Sequence, residues 1–178
     1  MSDDFTVEQQ AFVAQQRAAL AALGHPVWAV ADVPLHGISA FEQQGTRGAV
    51  ALHAVGQVRL SVHSMTPLTG PVEDVVRAML AASLFETSAS GATTQDELRT
   101  EIESRIAGAR ERAAAVAVGT RTFQVDLVDV EFEFATLAGL WVAAADHNGV
   151  RLAVMSVGVA PEGIALAAVA DPAAHLPE

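Results

Sequence analysis

Two histidines, an arginine and a serine fall close together in "ALHAVGQVRLSVHS" at residues 51–64: His53, Arg59, Ser61 and His63. These types can ligate a metal, or pair a hydroxyl nucleophile with an imidazole base. Strand geometry argues against the metal. A three-residue loop at Val55, Gly56 and Gln57 would place Val50, Leu52, Ala54, Val58, Leu60 and Val62 on one face of a hairpin, and His53, Arg59, Ser61 and His63 on the other. His53 then faces Arg59, and His63 lies four residues further on, on the order of 13 Å at strand rise, too far for one zinc ion. Ser61 can sit diagonally from His53, but no strained turn presents it as a nucleophile elbow would. The expectation is a solvated polar face.

A second cluster is acidic. In "DLVDVEFE" (residues 126–133) Asp126, Asp129, Glu131 and Glu133 share one face of a hairpin, the arrangement that docks a basic surface. They lack the loop glycine and the dense oxygen cage of a calcium site. "DHNG" at 146–149 holds an acid, an imidazole and an amide, yet Asn-Gly is the preferred two-residue type I′ turn for backbone reasons alone. That turn sets Asp146 across from Arg151. No phosphate-binding glycine loop, G-x-S-x-G or H-E-x-x-H pattern occurs. The expectation is no metal, no cofactor and no supported catalytic constellation.

Composition narrows the classes. A chain of 178 residues with a hydrophobic fraction of 51% and only 17% charge can offset the entropy of ordering, so it folds. Cysteine is absent, which excludes disulfides, thiolate metal sites and a cysteine nucleophile. The net charge of -11 disfavours nucleic acid and anionic membranes. No apolar run is long enough to span a bilayer, and the N-terminus is acidic where a secretory signal is basic. A cytoplasmic address is expected.

The elements that position these residues are legible as patterns. Residues 6–23 read as a helix opened by a Thr6–Gln9 capping box and stopped by Gly24 and Pro26. Strands follow near 27–33, 38–44, 48–54 and 58–64. A second helix, 71–85, starts with Pro71 and acids Glu73 and Asp74, with Val72, Val75, Val76, Met79, Leu80 and Leu84 on one face. A polar loop, 86–94, leads to a third helix with a Thr94–Glu97 capping box, an apolar row of Leu98, Ile102, Ile106, Ala109 and Ala113, and a Glu101–Arg105 pair. From 121 to 170 the period is two, predicting an antiparallel meander of about five strands. In its first hairpin a turn at Leu127-Val128 would set Val125 opposite Val130 and Phe123 opposite Phe132.

"VRLSVHS" (58–64) and "VRLAVMS" (150–156) echo one another, each after a glycine-started strand and each before a proline. The echo suggests two related units, 1–69 and 94–172, joined by the helix at 71–85 and packed about a pseudo-two-fold axis within one domain. The fold class expected is therefore α+β: three helices on antiparallel meanders.

On one meander face Phe123, Val125, Val130, Phe132, Phe134, Trp141, Leu152, Val154 and Val169 form a layer for helices to cover. Trp28 and Trp141 are expected in the core. The opposite face is acidic in its first strands and apolar in its later ones, where Val142, Ala144, Met155, Val157 and Leu166 need a cover. The first unit, a homodimer mate or a basic or neutral protein partner can supply it. The functional expectation is a non-enzymatic adaptor that binds through Asp126, Asp129, Glu131, Glu133, Val142 and Met155. The alternative is a small-molecule-binding domain or enzyme with its cavity between the halves.

Overall fold

The chain is an α+β protein, here described from a computed structural model over residues 2–55, 58–84, 94–160 and 162–176. In chain order the elements are α1 (Ser2–Ala21), β1 (Trp28–Val30), β2 (Leu35–Gln43), β3 (Thr46–Val55), β4 (Val58–Thr66), α2 (Val72–Leu84), α3 (Gln95–Ala114), β5 (Gly119–Val125), β6 (Val128–Leu137), β7 (Leu140–His147), β8 (Val150–Val157), β9 (Ala165–Ala168) and a 3-10 turn at Pro172–His175. The strands form one sheet in the order β1-β9-β5-β6-β7-β8-β4-β3-β2. All neighbours run antiparallel except β5 and β9. Most of the expected loop 86–94 lies outside the described residues.

Four hairpins close through two residues that both have positive φ: Gln44-Gly45, Asp126-Leu127, Ala138-Gly139 and Asn148-Gly149. This is the type I′ turn, whose twist matches that of the strands it joins. The Asn-Gly turn stands as its sequence predicts, with Asp146 opposite Arg151. In the β5–β6 hairpin the turn sits one residue earlier than expected, so Val125 faces Val128 and Phe123 faces Val130. Pairing moves by two residues and each side chain keeps its face. Asp126 tolerates the left-handed turn because its carboxylate accepts from the Trp28 indole (2.9 Å) and from the Ala168 amide (2.9 Å).

The β3–β4 hairpin overturns an expectation more deeply. Val55 pairs with Val58, so the loop holds two residues instead of three. A one-residue change in loop length exchanges the faces of one strand relative to the other. His53 therefore shares a face with Leu60 and Val62, whereas Val50 and Leu52 lie beside His63 and Ser61. Two further corrections concern the ends. α1 begins at Ser2, which places Thr6 within the helix instead of at its cap. β9 leaves the meander and crosses back to pair with β5 and β1, since β8 ends at Val157 and β9 begins only at Ala165, a separation too long for a tight hairpin.

The sheet is rolled nearly into a barrel, and polar side chains hold the closure. β1 bonds to β9 through one edge; its other edge turns towards the inner faces of β3 and β4. There Ser64 Oγ accepts from the Trp28 amide (3.1 Å) and His53 Nε2 accepts from the Val30 amide (3.1 Å). His53 Nδ1 donates to the Pro34 carbonyl (3.1 Å), fixing the neutral tautomer. Burial lowers the His53 pKa below its ordinary value. The other edge strand, β2, is blunted by α1, whose Gln16 side chain accepts from the Ala40 amide (2.7 Å). Inside the roll lie Trp28, Trp141, Phe123, Phe132, Val62, Leu152, Val154 and Leu166, all buried. The layer predicted for helices is thus covered mainly by the sheet's own curl.

Helices cover the opposite face instead. α2 buries Val76 and Leu80 against Val142, Ala144 and Ala153. Its approach is fixed by Arg151, whose side chain is only 5% exposed: Nε and Nη2 donate to the two Asp146 carboxylate oxygens (2.7 and 2.9 Å), while Nη1 and Nη2 reach the carbonyls of Thr69 and Gly70 just before the helix (2.8 and 2.9 Å). α3 has the predicted Thr94–Glu97 capping box and Glu101–Arg105 ion pair. Only its C-terminal half packs, through Ala109 and Ala113. Arg77 of α2 donates to the carbonyls of Ala113, Ala114 and Val116 at that end of α3, where helical acceptors run out of intrahelical donors.

The two echo segments lie in β4 and β8, interior neighbours in the sheet. Val62 pairs with Val154, which occupies the corresponding place in the other copy. The expected duplication of helix-plus-meander units is not established by this pairing. α1 packs on β2 and the 3-10 turn while α3 packs on α2, and β1 pairs with β9, not beside β2.

Asp146→Ala should lower the free energy of unfolding by about 2–3 kcal/mol in urea titrations, because it leaves the Arg151 guanidinium buried with only two carbonyl acceptors. A change below about 0.5 kcal/mol, the scale of an ordinary surface substitution, would show that this pair does not hold α2.

Candidate functional site

α2 covers β6, β7 and β8 but stops short of β3 and β4, and the boundary is a groove. Alternate residues of β4 form its floor. Arg59, Ser61, His63 and Met65 share the outer face of that strand, next to Val50 and Leu52 of β3 and Met155 of β8. Met79, Ala82, Ser83 and Leu84 of α2 form one wall. Two adjoining cavities of about 430 and 360 Å³ meet at Ser83 and Met155. Ser83 Oγ donates to the Met79 carbonyl (2.9 Å) and lies 3.1 Å from Met155 Sδ, which ties this wall to the floor.

The far end depends on a missing side chain. A Cβ at Gly48 would stand 2.2 Å from the Ser64 carbonyl oxygen and 3.0 Å from the Phe41 ring. With glycine there, Phe41 lies over the strand and meets the His63 imidazole edge-on, with centroids 6.4 Å apart.

In the groove Ser61 Oγ and His63 Nε2 share a hydrogen bond of 3.1 Å. Burial pushes the His63 pKa from 6.5 down to about 4, so the imidazole is neutral at pH 7. A neutral imidazole with a bonded hydroxyl can accept or donate to a ligand. Among the described residues no carboxylate orients His63, so the pair lacks the third member of a triad. Nor do the described residues bring three or more His, Asp or Glu together in a way that could hold a metal ion. His53 is on the inner face and takes no part, which separates the four residues His53, Arg59, Ser61 and His63 into three in the groove and one in the core.

The residues expected to bind a partner are dispersed. Asp126 is committed to its turn and to β1 and β9. Asp129 and Glu131 are exposed on the outer face of β6, beside the 90% exposed Leu127. Glu133 is partly covered; burial first, and repulsion from Glu73 next, raise its carboxyl above the ordinary range. Val142 is fully buried beneath α2 and is unable to reach a partner, so its place in a binding face is corrected. Met155 is half-buried in the groove. Of the other residues expected on that face, Leu166 points into the core and Val157 is exposed.

Compared with known proteins, the chain matches no family model, no curated protein and no solved structure. Among the described residues no helix is long and apolar enough to cross a membrane.

A group whose folded pKa lies below its unfolded one adds stability above the unfolded value, and that stability is lost as pH falls. The protein should therefore lose stability from pH 6.5 towards pH 4 as His63 takes up a proton. His63→Gln should flatten that part of the urea-midpoint profile. In the wild type the His63 ring resonances should titrate with a midpoint of about 4; a midpoint of 6.5 would mean the groove is open to water.

Proposed function

We propose that the protein is a binding module for a small, largely apolar molecule, held in the groove between α2 and the outer faces of β3, β4 and β8. The single observation that carries this reading is a pair of connected apolar cavities containing one buried polar spot, the Ser61–His63 bond. Ligand sites are typically concave and mainly apolar, with a few placed polar groups that set orientation, and their volumes run from roughly 300 to 1,000 Å³. The position agrees with the alternative read from sequence, a cavity between the two halves, since β4 belongs to one half and β8 to the other.

A second reading keeps part of the adaptor expectation. Asp129 and Glu131 are exposed and form no ion pair among the described residues, next to exposed Leu127 and Val128, and such a strand end suits a basic partner. It ranks below the groove because the apolar face that was to complete the docking surface is buried by α2.

The test uses N-phenyl-1-naphthylamine, a neutral apolar dye that fluoresces when taken out of water. The wild type should bind it saturably. Ser83→Trp, at the junction of the two cavities, should weaken binding about tenfold or more, equivalent to about 1.4 kcal/mol, with the melting temperature unchanged. Equal binding by the two proteins would place the dye elsewhere and remove the support for the groove.

A further inference from the structure

The groove has one charged lining residue. Arg59 stands at the end of the row that continues into Ser61 and His63, each about 7 Å further along the strand face. Among the described residues it is the only charged side chain lining either cavity, and it is exposed and has no ion-pair or hydrogen-bond partner for its guanidinium. Arg151, in the same position of the echoed segment, is committed to Asp146 and two carbonyls. The guanidinium fork matches a carboxylate through two parallel hydrogen bonds.

The rest of the groove has the opposite character. Next to Arg59 the wall is Leu52, Leu84, Leu137, Leu140 and Val157, and beyond Met155 it continues to Met65 and Met79. All three methionines after the first residue of the chain line it. Thioether side chains are unbranched and adjust to irregular shapes, which suits a flexible chain better than a rigid ring system. The net charge of -11 repels polyanions, so a single carboxylate held locally by Arg59 is the anion the molecule can accept.

We propose that the ligand of this groove is a free aliphatic monocarboxylate of medium chain length. Its carboxylate pairs with Arg59 at the mouth, and its alkyl tail runs along α2 over Met155 towards Met79. The inference rests on the groove being a ligand site and adds the ligand's chemistry.

The experiment compares dodecanoate, dodecanol and dodecylammonium, each below its micelle concentration, as competitors of the naphthylamine dye on wild type, Arg59→Gln, Arg59→Glu and Ser83→Trp. The expected pattern is that dodecanoate displaces the dye from wild type at least about tenfold better than dodecanol. Arg59→Gln erases that difference without changing dodecanol. Arg59→Glu reverses it in favour of dodecylammonium. Dodecanoate binding that is unaltered by both Arg59 variants but lost in Ser83→Trp would overturn the carboxylate assignment and leave the groove standing. Failure of dye and all three amphiphiles on the wild type would overturn the groove reading as well. Melting temperatures equal to wild type show that the variants are folded.

Discussion

The guanidinium of Arg151 is the contact on which the arrangement of the outer face depends. A buried cation is tolerated only if its donors are satisfied, and here one carboxylate and two backbone carbonyls are held together by it. The carboxylate comes from the neighbouring strand β7, so it is fixed by the sheet. The carbonyls belong to Thr69 and Gly70, so the chain must pass this point before α2 can begin. That passage sets the helix across β7 and β8, where Val76 and Leu80 find their partners. Arg77 then draws the end of α3 against the same helix. The outer face of β3 and β4 is left without a helix, and the groove is what remains.

The inner face is organised by a different constraint. A nine-stranded open sheet has two edges, each with unpaired backbone groups. This chain turns one edge inward and satisfies it with Ser64 and His53, and it covers the other with Gln16 of α1. The roll encloses the large aromatic residues, and no helix is needed over most of that face. β4 and β8 are neighbours in the sheet, with nearly the same sequence but different outer environments. In β8 the outer Arg151 and Ala153 are buried beneath α2 and its lead-in; in β4 the corresponding Arg59 and Ser61 line the groove with His63, Arg59 exposed and Ser61 buried. The cation of β8 builds the fold, whereas that of β4 stands exposed at the groove.

Much of this was legible in the sequence wherever local chemistry decides the outcome. The α3 capping box, the Asn148-Gly149 turn and the Asp146–Arg151 pair follow from short-range rules. Both partners of the main helix–sheet contact were also readable: an apolar stripe on residues 72–84 and an uncovered apolar patch at Val142 and Ala144. Nothing local says that they belong to each other, because that depends on where Arg151 anchors the chain. Of the other type I′ turns among the described residues, the sequence places the β5–β6 turn one residue late and does not mark Gln44-Gly45 or Ala138-Gly139 as two-residue turns. Gln44-Gly45, Ala138-Gly139 and above all Asp126-Leu127 are weak turn sequences, and the last is held by bonds to residues about 40 and 100 positions away. The β3–β4 loop was read one residue too long, and since side chains alternate with a period of two, that moved His53 to the wrong face. The polar cluster that first suggested chemistry was therefore partly right: Arg59, Ser61 and His63 do form a unit, with His53 removed from it.

The central claim is that the outer face is closed over β7 and β8 and open over β3 and β4. The absence of cysteine makes this directly measurable by single-cysteine labelling. Leu52→Cys, 40% exposed at the groove, should react with a maleimide close to the rate of a free thiol. Val142→Cys, fully buried under α2, should react only as fast as the protein opens. Equal labelling rates at the two positions in the native protein would contradict the account, because they would mean that α2 does not divide the face as described.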